Sequence, residues 1–123
     1  MLVHEDFRGR IHVVSIEGIQ IKFITTRAGF LRGGEIHPNN QYNTVLSGEV
    51  EFILKLNGIA DIHRLKIQNG QITITAGTPH MSRSVTDSVM IEWYDGEYQS
   101  EYYPEYRKLV DGQMAEFREK LKL

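Results

Sequence analysis

From Ile11 to Tyr94 the apolar residues return at every second position, in short runs that glycine, proline or asparagine cuts off. Ile19, Ile21 and Phe23 alternate with Gln20, Lys22 and Ile24. Val50, Phe52, Leu54 and Leu56 alternate with Glu51, Ile53 and Lys55, and Ile72 and Ile74 with Thr73 and Thr75. A period of two belongs to a strand whose successive side chains face opposite sides of a sheet. Asn57-Gly58 between two such runs is a hairpin signal, because both central residues of the favoured turn take positive φ. Glu17-Gly18, Gly48-Glu49, Gln68-Asn69-Gly70 and Thr86-Asp87-Ser88 punctuate the rest. Many short strands with no helical period among them predict an all-β sandwich or barrel. In this reading Ile19, Ile21 and Phe23 make one apolar face, and Val89, Ile91 and Trp93 belong to the core.

The C-terminal stretch breaks the rhythm. Asp111 is placed to cap a helix over Gly112 to Leu121, with Met114, Phe117 and Leu121 on one side and Glu116, Arg118, Glu119, Lys120 and Lys122 mostly on the other. Before it, Tyr98 to Val110, with Pro104, reads as an arm laid on the barrel or on a second subunit. No repeat, low-complexity tract or linker divides the 123 residues. The expectation is one domain: N-terminal strands over 1–28, a core over 29–95, and the arm and helix over 96–123.

Composition removes several functions. A formal net charge of −2 without a Lys/Arg run gives no footing for nucleic acid or a membrane surface. The absence of cysteine rules out disulfides, thiolate metal sites and cysteine catalysis. Met1 to Asp6 lacks the basic and apolar regions of a signal peptide, and no stretch reaches the roughly 20 apolar residues that span a bilayer. A soluble, cytoplasmic protein is expected.

The chemistry concentrates in two places. Glu35 and His37 stand two apart and so project to the same side of a strand. Gln41 approaches them across the turn Pro38-Asn39-Asn40. His80 follows the turn Ala76-Gly77-Thr78-Pro79, also at a strand start. Two imidazoles, a carboxylate and an amide oxygen form a ligand set for a divalent metal such as Fe, Mn, Ni or Zn. The same groups without metal form a proton-transfer site.

Glu35-x-His37-x3-Gln41-x6-Gly48 resembles the first cupin motif, which usually reads His-x-His, three or four residues, Glu, six residues and Gly. Gly77-Thr78-Pro79-His80 resembles the second. The resemblance implies the cupin double-stranded β-helix, a jelly-roll barrel, here with a short C-terminal α-helix. Glu35 replaces the first histidine of the pattern, and Gln41 replaces its glutamate. Asp6-x-Arg8-Gly9 and Leu31-Arg32-Gly33-Gly34 are similar to the cupin branch of ketoisomerases and epimerases acting on deoxysugar nucleotides. In its ketoisomerases the run is Arg-Gly-Gly-His-Ala-His, with glutamine where Gln41 stands.

That likeness implies a sugar or nucleotide-sugar ligand and a proton removed α to a ketone and returned to the enediol. His37 would serve as base or acid, Glu35 as its partner and His80 from across the pocket. Arg32 would bind a phosphate or carboxylate, with Gln41 and Tyr42 beside the substrate. Two other classes stay open: a metal-dependent cupin, oxygenase- or hydrolase-like, using Glu35, His37, Gln41 and His80 as ligands, and a non-catalytic binding module. A homodimer through the N-terminal strands and the tyrosine arm is expected.

Overall fold

In the computed structural model of the chain, which describes residues 1–122, Asn57 and Gly58 take φ values of 51° and 77°. The hairpin they make joins β6 (Val50–Leu56) to β7 (Ile59–Leu65), with Leu56 opposite Ile59. Before it run β1 (Leu2–Asp6), β2 (Gly9–Ile16), β3 (Ile19–Thr26), β4 (Leu31–Ile36) and β5 (Gln41–Ser47). After it come a 3-10 turn at Ile67–Asn69, β8 (Gln71–Ile74), β9 (His80–Ser84), β10 (Ser88–Tyr94), the short β11 (Glu101–Tyr102) and α1 (Pro104–Leu121). All strand pairs are antiparallel, in two sheets ordered β1-β2-β3-β10-β5-β8 and β11-β4-β9-β6-β7. β10 lies between β3 and β5, and β9 between β4 and β6, so the chain winds between the sheets as a jelly roll does.

Ile24, Val45, Val50, Phe52, Leu54, Leu65, Ile74 and Met90 fill the space between the sheets. Gly48 turns the chain from one sheet into the other rather than closing a hairpin. Its φ is +80°, and a Cβ there would lie 2.1 Å from the carbonyl oxygen of Asp87, so no other residue fits this corner.

The faces of two strands are the reverse of the sequence expectation. On β3 the inward residues are Lys22, Ile24 and Thr26, while Ile19 and Phe23 are 54% and 37% exposed outside. On β10 the inward residues are Ser88, Met90, Glu92 and Tyr94, and Trp93 lies outside against Tyr42. Alternation fixes the period of a strand but not which face turns inward. Here the apolar set faces out because one end of the barrel holds polar groups.

The helix begins at Pro104, well before Asp111. Proline is tolerated in the first turn, where its missing N–H has no partner to lose. Asp111 sits inside the helix and pairs with Arg107 at 3.0 Å. Tyr106, Val110 and Met114, four apart each, form the buried stripe. Phe117 closes against Phe7 and Phe30, with ring centroids 4.4 and 5.1 Å away. The Gln113 amide accepts from the Leu31 N–H and donates to the Gly29 carbonyl, tying the helix to the start of β4.

Candidate functional site: a polar cavity at the barrel mouth

Arg32 and His37 are an odd number of positions apart, so a regular strand would send them to opposite faces. Gly33 and Gly34 remove the conflict. Both have positive φ, 93° and 82°, and the pairing of β4 with β9 slips between Gly33 and Glu35. The bulge shifts the alternation by one, and Arg32, Glu35 and His37 all line the interior. Gly34 also lets α1 approach: a Cβ there would meet the Arg107 backbone at 2.7 Å.

The resulting cavity, about 150 Å³, is lined by Arg32, Glu35, His37, Gln41, His80 and Glu92, with Lys22, Tyr94 and Tyr98 at its rim. The two imidazole rings stand 5.0 Å apart. His37 Nδ1 donates to the Gln99 carbonyl at 2.9 Å and His80 Nδ1 to the Thr78 carbonyl at 3.0 Å. A carbonyl only accepts, so the proton of each neutral ring sits on Nδ1 and Nε2 keeps its lone pair. Burial lowers the His80 pKa below the ordinary imidazole value, and neighbouring His37 adds to the effect against the pull of the Thr78 bond.

Sequence reading missed Glu92. Its Oε1 accepts from Gln41 Nε2 and Asn43 Nδ2, both at 3.0 Å, and its Oε2 accepts from the Tyr94 hydroxyl at 2.6 Å. Lys22 Nζ lies 3.8 Å from Glu92 Oε2 and 3.8 Å from the centre of the Tyr98 ring. Burial, and then the carboxylate, push the Tyr94 phenol far above its usual pKa. A signal existed: Glu92 is the one charge inside the apolar run Val89 to Tyr94, and it pairs in register with Lys22.

Arg32 is 7% exposed. Its Nε donates to Thr26 Oγ1 at 2.7 Å and its Nη2 to the Thr25 carbonyl at 3.1 Å. Burial, reinforced by Arg8, lowers its pKa to about 10, so it stays charged near neutral pH. Among the described residues no carboxylate reaches it within ion-pair distance. Glu51 is engaged instead by Arg64 at 2.9 Å and Arg83 at 3.5 Å.

Glu35 is not the hydrogen-bond partner of His37. Its Oε2 accepts from the Tyr98 hydroxyl at 3.2 Å and from the Ser100 hydroxyl, toward a second hollow that Tyr102 and Arg107 share. Burial and this carboxylate push the Tyr98 phenol up to about 12. With Glu35 so held, the expected metal set does not close: among the described residues no three His, Cys, Asp or Glu side chains stand together as ligands. Of the two carboxylates lining the cavity, Glu35 is engaged by Tyr98 and Ser100, and Glu92 by Gln41, Asn43 and Tyr94. The expected Fe, Mn, Ni or Zn set of Glu35, His37, Gln41 and His80 is therefore not assembled as these side chains stand.

Tyr42 lies outside this cavity, since its neighbours Gln41 and Asn43 take the inward positions of β5. Its ring stacks on Trp93 at 5.6 Å and 18°, and its hydroxyl donates to Asp95 at 3.3 Å. Both rings border an outer groove of about 920 Å³ that shares Lys22, Tyr94 and Tyr98 with the cavity. His4 and His63 are exposed and bonded to Asp6 and Asp61, away from the site.

No protein-family model matches the sequence, and no curated protein matches it. Solved structures do. The capsular polysaccharide assembling protein CapF from Staphylococcus aureus superposes with a TM-score of 0.70 at 18% identity, over 80% of this chain and 30% of that one. CapF with the inhibitor 3-isopropenyl-tropolone gives 0.73 at 17%, over 83% and 34%. Oxalate decarboxylase from Lactobacillus farciminis, as a formate complex, gives 0.69 at 13%, over 91% and 36%. The chain thus spans about a third of the length of these proteins. All three are cupins. With His37, Gln41 and His80 set on the inner wall of a two-sheet jelly roll, the chain has the fold of the cupin barrel.

Proposed function

We propose that the cavity binds a small sugar-type ligand bearing a carbonyl and an anionic group, and moves a proton on it in the manner of an isomerase or epimerase. One observation carries this reading: the buried Arg32 guanidinium, without a carboxylate partner, lines the same cavity as two imidazoles whose Nε2 atoms are free acceptors. An unpaired buried cation is costly, and a bound phosphate or carboxylate would offset that cost. In the proposed reaction His37 Nε2 takes the proton from the carbon next to the ketone. The C–H electron pair forms the enediolate double bond, and the carbonyl oxygen takes up the negative charge. The enediol hydroxyl proton passes to the former carbonyl oxygen, and His37 Nε2 returns the proton it took to the neighbouring carbon, so that it ends unprotonated again. His80 Nε2, an acceptor on the facing strand, holds a ligand hydroxyl, and Glu35 stays bonded to Tyr98 and Ser100. CapF, described as a capsular polysaccharide assembling protein, lends the sugar class some support.

The test is a melting-temperature screen against UDP-glucose, dTDP-glucose and keto-sugar phosphates, followed by NMR detection of α-proton exchange in D2O. A ligand should raise the melting temperature of the wild type and not that of Arg32→Ala. Exchange should vanish in His37→Ala. If no member of the screen stabilises the protein, the reading fails. Stoichiometric metal in tag-free protein, lost in His37→Ala, would replace it with metal chemistry. Oxalate decarboxylase of Bacillus subtilis, a neighbour in fold, is described with Mn(II) centers.

A second copy of the chain is the proposed partner. Val14, Ile16, Ile19 and Phe23 are exposed on the outer face of β2 and β3, where Val14 pairs with Ile21 and Ile16 with Ile19, giving a continuous apolar surface. Ile16→Glu should turn a dimer into a monomer in sedimentation analysis.

A further inference from the structure

We propose that Glu92 is a positioning residue that fixes the direction of Gln41, so that the cavity offers its ligand a carbonyl oxygen at this point rather than an NH2 group. The inference rests on the reading of the cavity as a site for a hydroxyl-bearing ligand. Side-chain amides next to one another normally have two consistent senses, and turning every amide over preserves the bonds. A carboxylate at one end of the chain removes that freedom, because it only accepts.

Glu92 Oε1 takes an N–H from Asn43 at 3.0 Å, which leaves Asn43 Oδ1 as the only end of that amide free to accept. Gln41 Nε2 gives one hydrogen to this Oδ1 at 2.7 Å and the other to Glu92 Oε1 at 3.0 Å. Both Gln41 hydrogens are thereby used, and its Oε1 is left buried with no partner. Gln41 is 3% exposed and lines the cavity. An acceptor left unpaired in a buried position costs stability, and it is kept where something else completes it. Two further acceptors, the Nε2 atoms of His37 and His80, line the same cavity. Three acceptors around one cavity call for a ligand that brings donors there, which sugar hydroxyls do. Asn43 and Glu92 do this from opposite strands, as register partners of β5 and β10.

The experiment uses the full chain with 15N-labelled side-chain amides. In the wild type the two Gln41 amide hydrogens should be distinct and slow to exchange with solvent. Glu92→Gln, which restores the ambiguity of sense, should speed their exchange at least about tenfold, the equivalent of losing one buried hydrogen bond. Tyr94→Phe touches only the other carboxylate oxygen and should leave them as they are. If Glu92→Gln does not fold, Glu92→Asp keeps the charge beside Lys22, withdraws the carboxylate from both amides, and should give the same result.

Glucose 1-phosphate and inorganic phosphate then serve as probes. The first carries donors and an anion, the second in effect only the anion. Wild-type protein should prefer the sugar phosphate, and Glu92→Gln should lose about tenfold of that preference. Unchanged Gln41 signals in both Glu92 variants overturn the proposal whatever the probes do. Failure of glucose 1-phosphate to bind the wild type overturns the sugar reading of the cavity, while the amide signals still decide the role of Glu92.

Discussion

Each strand of the inner wall has two different ends. On β5 the inward series runs Gln41, Asn43, Val45, on β10 it runs Tyr94, Glu92, Met90, on β3 Lys22, Ile24, and on β9 His80, Ser82, Ser84. At the mouth these positions are amide, carboxylate, ammonium and imidazole. Toward the closed end they meet Val45 and Val50, each 1% exposed, and Leu65, 6% exposed. The same backbone, a few residues along, changes from a surface that stabilises by excluding water to one that must satisfy every polar atom it buries. Burying a leucine contributes about 2–3 kcal/mol by area alone. Burying a glutamine contributes nothing comparable, and an unmet carbonyl takes stability away. The closed end is therefore built for the fold, and the mouth is carried at its expense.

The sharpest way to break this division is to truncate one side chain from each end. Leu65→Ala, opposite Val50 and outside the cavity lining, should cost about 2–5 kcal/mol in urea unfolding, through lost burial and the void left behind. His37→Ala removes a side chain of similar reach, yet it should cost no more than about 1–2 kcal/mol, the worth of one hydrogen bond and partial packing, while abolishing ligand binding. Equal losses at the two positions would mean that the mouth is ordinary core.

Next in size is Gly34→Ala. Its Cβ would press on the Arg107 backbone from a strand position with φ of +82°. Strain and displacement of α1 together should cost about 1–3 kcal/mol. Because Gly34 also sets the bulge that turns Glu35 and His37 inward, the variant should lose ligand binding as well. That outcome would join the helix side of β4 to the mouth. Retained binding at reduced stability would separate them.

This contrast also explains how much of the molecule was legible beforehand. The strands, the Asn57-Gly58 hairpin and the two histidine-bearing segments follow from alternation and turn chemistry, which are local properties. The inward face of β3 and β10 is a collective property. Ile19, Ile21 and Phe23 look like core because period two says nothing about which side the second sheet lies on. Glu92 stayed hidden for the same reason: a carboxylate in an apolar run reads as the solvent side until Lys22, Asn43 and Gln41 are seen around it. The helix starts earlier than the Asp111 cap suggests, because Pro104 fits the first turn and the end of the tyrosine-rich arm, from there to Val110, is helical. The bonds Glu35 makes lie beyond local reading: its neighbours in space are Tyr98 and Ser100. Tyr98 and Ser100 come from a stretch without periodicity, and only the three-dimensional path brings them to it.

The smallest effect is a slope rather than a loss. Burial lowers the pKa of His80 in the folded protein below the value of about 6.5 that an imidazole has in an unfolded chain. Between the two values the unfolded state binds more protons, so stability falls as pH drops from about 6.5 and levels off below the folded pKa. Above about pH 7 the ring is neutral in both states and contributes no slope. At the closed end of the molecule Asp6 behaves in the opposite sense. Burial alone would raise its pKa, but hydrogen bonds from Arg8 and His4 outweigh it and hold the carboxyl well below the usual carboxylate range. Its contribution is present above about pH 4 and is lost only in stronger acid. Unfolding curves between about pH 5 and 7.5 therefore sample the mouth without sampling Asp6. His80→Gln, which removes the titrating ring, should flatten the wild-type slope in that window and leave the acid limb unchanged. A slope that survives the substitution would mean that the mouth of the barrel is already open to water and protons, and that His80 is not the buried neutral base on which its division from the core depends.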